Sequence, residues 1–142
     1  MNMDFILRGK GRDVVTIDEA RSLQEAANLM DSHGIGALLV CDSHERPVGV
    51  LSERDVIREV ALNGAASLTR PATSAILPAF LTAAPEDLIE TVMVRMTERR
   101  VRHLPVMDAG QLVGIVSIGD LVKAKIATAE AETEALRKYI RE

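Results

Sequence analysis

The stretch Gly114-Ile115-Val116-Ser117-Ile118-Gly119-Asp120 has a twin 65 residues earlier in the chain, Gly49-Val50-Leu51-Ser52-Glu53-Arg54-Asp55. In each copy a glycine is followed by two branched apolar residues, a serine, two variable positions and an aspartate. An apolar pair comes next, Val56-Ile57 in the first copy and Leu121-Val122 in the second. This pattern predicts a short buried strand that runs directly into a helix.

The serine and the aspartate of each copy have two interpretations. Serine is a preferred N-cap, and a carboxylate in the first turn is favoured by the helix dipole. Ser52 with Asp55, and Ser117 with Asp120, therefore form a capping-box-like pattern that needs no ligand. Capping alone would explain a single copy. Because the pattern is duplicated at matched positions, a shared binding role is favoured as well.

The duplication extends over most of the chain. At an offset of 66 residues, the apolar positions i, i+3, i+4 and i+7 of one predicted helix match those of another. The turn after Asp42 is one residue longer than the turn after Asp108, so the offset becomes 65 for the twin stretches. Turns tolerate insertions and strands do not, as expected for two copies of one fold. The matched positions are Leu23, Ala26, Ala27 and Met30, and Ile89, Val92, Met93 and Met96.

Each copy has the predicted order strand, helix, strand, strand, helix. We expect the opening strands at 14–16 and 80–82, and the helices after them at the start signals Ser22-Leu23-Gln24-Glu25 and Pro85-Glu86-Asp87. Pro105 lacks an N–H, so it is expected at a strand start or edge. One copy of about 60 residues would bury little surface by itself. The sequence therefore predicts an α+β fold in which tandem β-α-β-β-α repeats pack sheet to sheet.

Three segments follow from this organisation. Residues 64–71 form a plausible linker that ends at a proline, and residues 5–7 correspond loosely to residues 75–77. In the charged tail, Glu134 and Lys138 have the i, i+4 spacing of an ion pair. The predicted segments are 1–66, an N-terminal segment with the first repeat; 67–127, the second repeat; and 128–142, a charged helical tail.

The composition is that of an ordinary globular protein, since 47% of the 142 residues are apolar and 27% are charged. A net charge of −4 is too small to indicate that nucleic acid is the main partner. The single cysteine, Cys41, lies in an apolar run, which favours a buried thiol and a reducing compartment. No run is long and apolar enough to span a bilayer, so we expect a cytoplasmic protein with no membrane partner.

A catalytic role finds little support in the motifs. Gly114 lies three residues before Ser117 rather than two, so this stretch is not a nucleophile elbow. Gly9-Lys10-Gly11 lacks the flanking residues of a P-loop. The histidines have no cysteine or second histidine at metal-ligand spacing. We therefore expect no enzyme activity, no catalytic cofactor and no metal. The histidines are His33, His44 and His103.

With its repeat and its doubled signature, the chain resembles a cystathionine-β-synthase (CBS) domain pair, also called a Bateman module. The resemblance covers about residues 3–127. Its most specific parts are the stretches 49–55 and 114–120, and Arg102-His103-Leu104-Pro105-Val106 supports it. It implies a pseudo-two-fold module with two clefts between the halves. In that family, the clefts bind adenosine-containing ligands such as AMP, ADP, ATP, NAD(H) or S-adenosylmethionine.

The resemblance also implies roles for individual residues. Asp55 and Asp120 would hold the ribose, since a carboxylate accepts from both vicinal hydroxyls, and Ser52 and Ser117 would contact sugar or phosphate. The chain has three aromatic residues, so the base would be held by aliphatic groups and backbone. The phosphate-binding residues would be Arg54, Arg102 and His103. The base-contacting residues would be Thr16, Ile35, Gly36, Val50, Thr82, Val101 and Ile115.

In that family, each cleft combines the signature of one repeat with the opening strand and mid-repeat turn of the other. Cationic residues of the second mid-repeat turn have small counterparts in the first, and Arg54 corresponds to Gly119. We hypothesise that the Asp55 cleft prefers the more highly phosphorylated ligand. Arg95 and Arg99 are left open between a solvated helix end and a site role. The Asp120 cleft would be completed by Thr16, Ile35 and Gly36, and the Asp55 cleft by Thr82, Val101 and Arg102.

Three function classes follow. The favoured class is a free-standing adenosyl-ligand sensor, a homodimer that acts on a separate regulated protein. The second is a structural dimerisation module with vestigial clefts. The third is a minor hydrolytic or redox enzyme that uses a bound nucleotide.

Overall fold

The computed structural model describes residues 1–76 and 81–141. The order strand, strand, helix after each central helix agrees with the predicted repeat, and the α+β architecture is confirmed. The helices are α1 (Met3–Lys10), α2 (Leu23–His33), α3 (Glu53–Asn63), α4 (Ile89–Arg99) and α5 (Ile118–Arg141). The strands are β1 (Thr16–Asp18), β2 (Ala37–Cys41), β3 (Pro47–Ser52), β4 (His103–Asp108) and β5 (Gln111–Ser117), and 3₁₀ turns cover Ala65–Thr69 and Ala72–Ala75.

The two sheets share an antiparallel pair of strands, and the first sheet has a third strand parallel to that pair's first member. In the first, β2 lies between β1, to which it is parallel, and β3, to which it is antiparallel; in the second, β4 and β5 form an antiparallel pair. The register shifts between Val40 and Cys41 in β2 and between Val106 and Met107 in β4. These positions are 66 residues apart, so both repeats carry an irregularity at the same place. Strands β3 and β4 bring the two sheets into contact.

The prediction of an opening strand at 80–82 is wrong for the residues that the structure describes. Phe80 lies outside the described residues, and Leu81 and Thr82 belong to no strand. Pairing there is reduced to one parallel bridge between Ala83 and Val106. The reason lies in the neighbouring strand. In the first repeat, the opening strand is held by the N–H of Leu39 in β2, which donates to the carbonyl of Val15 at 3.1 Å.

The residue equivalent to Leu39 in the second repeat is Pro105, which has no N–H to donate to the carbonyl of Leu81. The ladder therefore survives only one step further along, where the N–H of Ala83 donates to Pro105 at 3.0 Å and the N–H of Met107 donates to Ala83 at 2.9 Å. In the first repeat, the strand lies at 16–18 rather than at the expected 14–16.

The terminal helix α1 and the linker pack on opposite halves. Met3, Ile6 and Leu7 of α1 belong to the core of the second repeat, whereas Ala72 and Ala75, which follow the linker, belong to the core of the first. The division of the chain at residue 66 stays a prediction. What the structure adds is that the segment before the first repeat completes the second one.

The signature glycines explain how these segments dock. A Cβ atom on Gly49 would lie 2.9 Å from Cδ1 of Ile76, and one on Gly114 would lie 2.6 Å from Cδ2 of Leu7. Both glycines therefore leave room for an apolar side chain against the strand, buried Leu7 at Gly114 and half-buried Ile76 at Gly49. Leu7 and Ile76 occupy equivalent places, one position away from the loose correspondence of 5–7 with 75–77, which pairs Ile76 with Ile6.

Helix α5 continues without a break into the tail. Within the described ranges, Glu134 and Lys138 do not form the ion pair that their spacing favours. Leu136, Tyr139 and Ile140 are exposed. Among the helices described, none combines the length and the apolar character that crossing a membrane requires.

Candidate functional site

A cavity of about 330 Å³ lies between the two repeats, beside the first signature. The first repeat supplies Val50, Ser52, Glu53, Arg54, Asp55 and Arg58, with Gly36 and Gly49. The second repeat supplies Leu81, Arg100, Val101, Arg102, His103 and Leu104. We call this cavity the Asp55 cleft.

Asp55 is held by a complete capping box. Its Oδ2 atom accepts from the backbone N–H of Ser52 at 2.8 Å and from the Ser52 hydroxyl at 3.0 Å, and the N–H of Asp55 donates to Ser52 Oγ at 3.3 Å. The capping interpretation is thus correct for this pair. The same carboxylate also lies in the cavity wall, with its side chain 16% exposed. Capping and cleft lining coexist because the helix begins at the cleft.

Arg58 is a cleft residue that the sequence interpretation missed. Its guanidinium donates to Asp55 Oδ1 at 2.9 Å and to the carbonyl of Ala75 at 3.3 Å. The contact fixes the orientation of the Asp55 carboxylate and ties it to the segment that follows the linker. The signal was available in the sequence, since Asp55 and Arg58 are three residues apart on one helix.

The predicted phosphate-binding residues Arg54, Arg102 and His103 all lie in the wall of the Asp55 cleft, and Arg100 joins them. Burial lowers the pKa of His103 below 6.5, and the charges of Lys10 and Arg102 act in the same direction. The carboxylates of Asp120 and Glu53 oppose them. His103 is therefore neutral at pH 7 in the unliganded protein.

Arg100 has a left-handed backbone, with φ 55° and ψ 39° at the end of α4. Its counterpart Gly34 ends α2 in the same conformation, with φ 62° and ψ 37°. Left-handed geometry suits glycine and is strained for an arginine. The second repeat thus keeps the helix-ending geometry but places a cation in the cleft.

The surroundings of Asp120 differ from those of Asp55. Asp120 Oδ2 accepts from the N–H of Ser117 at 2.8 Å, and the N–H of Asp120 donates to Ser117 Oγ at 3.1 Å. The ammonium group of Lys10 donates to Asp120 Oδ2 at 2.6 Å and to the carbonyl of Ile115 at 3.0 Å. Sequence interpretation missed Lys10 because the contact joins residues 110 positions apart.

The charge of Asp120 is stabilised by this contact. Burial raises the pKa of its carboxyl, but the hydrogen bonds and charge of Lys10 and the hydrogen bonds of Ser117 outweigh it, so the pKa lies below 3.8. Asp120 is therefore ionised and paired at neutral pH.

The predicted base-contacting residues are divided among several places. Val50 and Val101 line the Asp55 cleft, while Thr16 is exposed on β1. Leu81 lines the cleft in place of its neighbour Thr82, whose carbonyl accepts from Arg95 at 3.0 Å.

Gly36, expected in the Asp120 cleft, lies in the wall of the Asp55 cleft. With Ile35 it also lines a second cavity of about 540 Å³ between α2 and α3. Ile115 contributes its carbonyl to the Lys10 contact. Arg95 also donates to Asp87 at 3.1 Å, so it has a structural role at the start of α4 rather than that of a solvated helix end.

The sequence matches the CBS domain family twice, over residues 11–62 and 74–127. The chain belongs to the CBS domain family. A crystal structure of a CBS-domain-containing protein from Agrobacterium tumefaciens is 40% identical, with a TM-score of 0.84 over 87% of this chain and 92% of that one. The CBS domain-containing protein YhcV of Bacillus subtilis is 30% identical over 83% of this chain and 83% of its own.

A third relative carries a ligand. A CBS domain protein from Pyrobaculum aerophilum, solved in complex with AMP, is 28% identical and has a TM-score of 0.74 over 84% of this chain and 89% of that one. The resemblance identified from the two signatures is thereby confirmed, and the fold is that of a CBS domain pair.

Proposed function

We propose that the Asp55 cleft of this CBS domain pair binds an adenine nucleotide and that the chain is a regulatory sensor rather than an enzyme. The observation that carries the proposal is the composition of the cleft. An oriented carboxylate, an aliphatic surface and a group of cations line one cavity between the repeats.

Each part of the cleft suits one part of a nucleotide. Asp55, fixed by Ser52 and Arg58, would accept from the two ribose hydroxyls. Val50 and Val101, with Leu81, offer an aliphatic slot for adenine, in keeping with the small number of aromatic residues in the chain. The AMP complex of the Pyrobaculum relative supports this ligand class.

The charges of the cleft favour a polyphosphate. Four arginines line the cavity, together with two acidic residues, Glu53 and Asp55. Because Asp55 is already paired with Arg58, the other three arginines are available to phosphate oxygens. We therefore infer that ADP and ATP bind more tightly than AMP. The three are Arg54, Arg100 and Arg102.

Ligand binding would act on a partner through a change of population. A nucleotide shifts a protein between two states only if it binds them unequally, and the cleft spans both repeats, so closure around phosphate would move one repeat against the other. The proposal includes a homodimer in the cytoplasm and a separate regulated protein.

A thermal-unfolding panel tests the proposal. The compounds added to the full chain, one at a time, are AMP, ADP, ATP, NAD and S-adenosylmethionine. A ligand that binds only the folded state raises the melting temperature, because it stabilises that state by about 2.7 kcal/mol at a ligand concentration of 100 times its Kd. We expect ATP to give the largest shift, and Asp55→Asn to abolish it. Asp13→Asn, at an exposed carboxylate, is the matched control.

A second candidate is a dimerisation module with vestigial clefts. The contact between Lys10 and Asp120 favours it for one cleft, since a lysine from α1 reaches across the signature there, whereas Arg58 comes from the same helix as Asp55 and lines an open cavity. If no compound of the panel changes the melting temperature, while the chain is a stable dimer in solution, this candidate replaces the sensor.

A further inference from the structure

The two CBS signatures meet different surroundings. At the second signature, the Lys10 ammonium bridges the carbonyl of Ile115, near the end of β5, to the carboxylate of Asp120, at the start of α5. The corresponding residues of the first signature are Val50 and Asp55, and both face an open cavity. Lys10 thus spans the place where the other cleft is open.

The position of Lys10 follows from the packing of α1. Leu7 sits against Gly114, so the last turn of α1 reaches the second signature, where Lys10 ends the helix. On the other half, Ile76 takes the place of Leu7 against Gly49. The segment 71–80, which contains Ile76, has no lysine or arginine, so the first repeat has no counterpart of Lys10.

Arg58 does not play the equivalent role at Asp55. It comes from the same helix as Asp55, donates to Oδ1 of Asp55 and to the carbonyl of Ala75, and forms part of the wall of an open cavity. Lys10 instead crosses from strand to helix and uses Oδ2, the oxygen that also accepts from Ser117.

The Asp120 side offers a nucleotide little in exchange for displacing Lys10. The bond between Lys10 and Asp120 is charge-assisted, and both side chains are partly exposed, at 33% and 25%. In the sequence repeat, the counterparts of Arg54, Arg100 and Arg102 are glycines, so no arginine is supplied from these equivalent positions. A ligand at Asp120 would have to displace the ammonium group of Lys10 from the carboxylate, and the equivalent positions offer no arginine to bind its phosphates.

We propose that Lys10 closes the Asp120 cleft, so that each chain binds one adenine nucleotide, in the Asp55 cleft. This inference rests on the proposed nucleotide binding at Asp55. Lys10 is then the residue that makes the two halves of a symmetric fold functionally unequal.

Isothermal titration calorimetry with ATP, repeated with AMP, measures the stoichiometry per chain. We expect about one nucleotide for the native chain, no binding for Asp55→Asn, and an unchanged value for Asp120→Asn. Lys10→Met keeps the apolar stem and removes the ammonium group; it should add a second binding event and strengthen binding at Asp120 at least about tenfold. Asp120→Asn in the Lys10→Met chain should remove that event again.

Two control variants accompany the titration, and a melting curve of each variant shows whether it is folded. Lys10→Arg keeps the cation and should behave as the native chain, and Lys123→Met removes an exposed lysine of α5 and should change nothing. Lys10→Gln serves if Lys10→Met fails to fold.

The outcomes separate the two proposals. A native stoichiometry of about two that Asp120→Asn reduces to about one, or a Lys10→Met chain that still binds only one, overturns the closure by Lys10 and leaves nucleotide binding intact. A second event that is weakened by Lys10→Met would show that Lys10 is a ligand-binding residue, which also overturns it. Absence of any binding to the native chain overturns the proposed function and the closure with it.

Discussion

Arg100 combines two demands that conflict at one residue. The end of α4 requires a left-handed backbone, for which glycine is best suited, and the cleft receives a cation from the same position. Strained non-glycine residues of this kind occur at binding sites, where the surrounding fold holds them in place. The first repeat keeps Gly34 and has no cation there.

We predict that Arg100→Gly stabilises the chain and weakens nucleotide binding. Relief of the left-handed strain, less the greater entropy of glycine in the unfolded state, should raise the free energy of unfolding by about 0.5–1 kcal/mol. Loss of a charged hydrogen-bond donor should weaken ATP binding about tenfold. Urea unfolding and calorimetry measure the two effects.

Arg99→Gly is the control for Arg100→Gly. It is the last residue of α4, where the backbone is still helical, and glycine there should lower the unfolding free energy by up to about 1 kcal/mol. If Arg100→Gly destabilised the chain to the same extent, the strain at Arg100 would be disproved.

The lowered pKa of His103 leads us to predict that the stability of the chain depends on pH. Its pKa in the folded chain lies below 6.5, so the unfolded chain takes up the proton first as the pH falls. The unfolded state then binds more protons, and the free energy of unfolding decreases as the pH drops from 6.5 towards the folded pKa. His103→Gln should remove this part of the decrease in urea unfolding curves. His44→Gln, in an exposed turn, should not; equal slopes for the native and His103→Gln chains would contradict the prediction.

At the scale of elements, the strand-to-helix junction is the unit that is repeated. The N–H of Glu53 donates to the carbonyl of Gly36 at 3.0 Å, and the N–H of Ile118 donates to the carbonyl of Arg102 at 2.8 Å. Each junction is thereby bound to the mid-repeat turn of its own repeat. This fixes the distance between the signature carboxylate and the turn. The glycine of each signature receives a side chain from the segment that precedes the other repeat in the chain, Leu7 at Gly114 and Ile76 at Gly49; we call these two the swapped segments.

We predict that Gly114→Ala destabilises the chain by about 1–3 kcal/mol, because a methyl group would overlap the buried side chain of Leu7. The melting temperature should fall, and Leu7→Ala in the same chain should be less harmful than it is in the native background. Gly9→Ala, at a helical glycine with free space around its Cβ position, should stabilise by about 0.5–1 kcal/mol. Additive effects of Gly114→Ala and Leu7→Ala would refute the overlap.

At the scale of the whole molecule, the swapped segments make each half depend on the other. Backbone hydrogen bonds repeat this exchange: the N–H of Ile89 donates to Met1, and the N–H of Leu23 donates to Arg70, both at the start of a central helix. The chain therefore has a pseudo-two-fold surface as well as a pseudo-two-fold core. Ile57 and Val122, at equivalent positions of α3 and α5, are 65% and 40% exposed.

We predict that these apolar positions contribute to a homodimer. A surface that is apolar at equivalent places in both halves is self-complementary about a two-fold axis. The double variant Ile57→Glu, Val122→Glu should shift the mass measured by light scattering from two chains towards one. Val94→Glu, on the exposed face of α4, is the matched control. A native chain that is monomeric at all concentrations would contradict the prediction.

The repeat, the order of its elements, the capping of Asp55 and the family were predictable from sequence, because they depend on hydrophobic periodicity and on residues within one turn of each other. The family resemblance implied phosphate-binding roles for Arg54, Arg102 and His103, and these residues do line the Asp55 cleft. The shortened opening strand of the second repeat was not predicted, although its cause, Pro105, was visible. Only the pairing partner shows what the missing N–H removes.

Tertiary structure decided which parts of the chain meet. The docking of α1 on the second repeat, and the contact of Lys10 with Asp120 across 110 positions, depend on how two cores are packed. No local pattern encodes that packing. Sequence alone established two matching signatures, whereas the fold made one of them an open cleft and gave the other a lysine, since long-range packing sets which charge reaches which carboxylate.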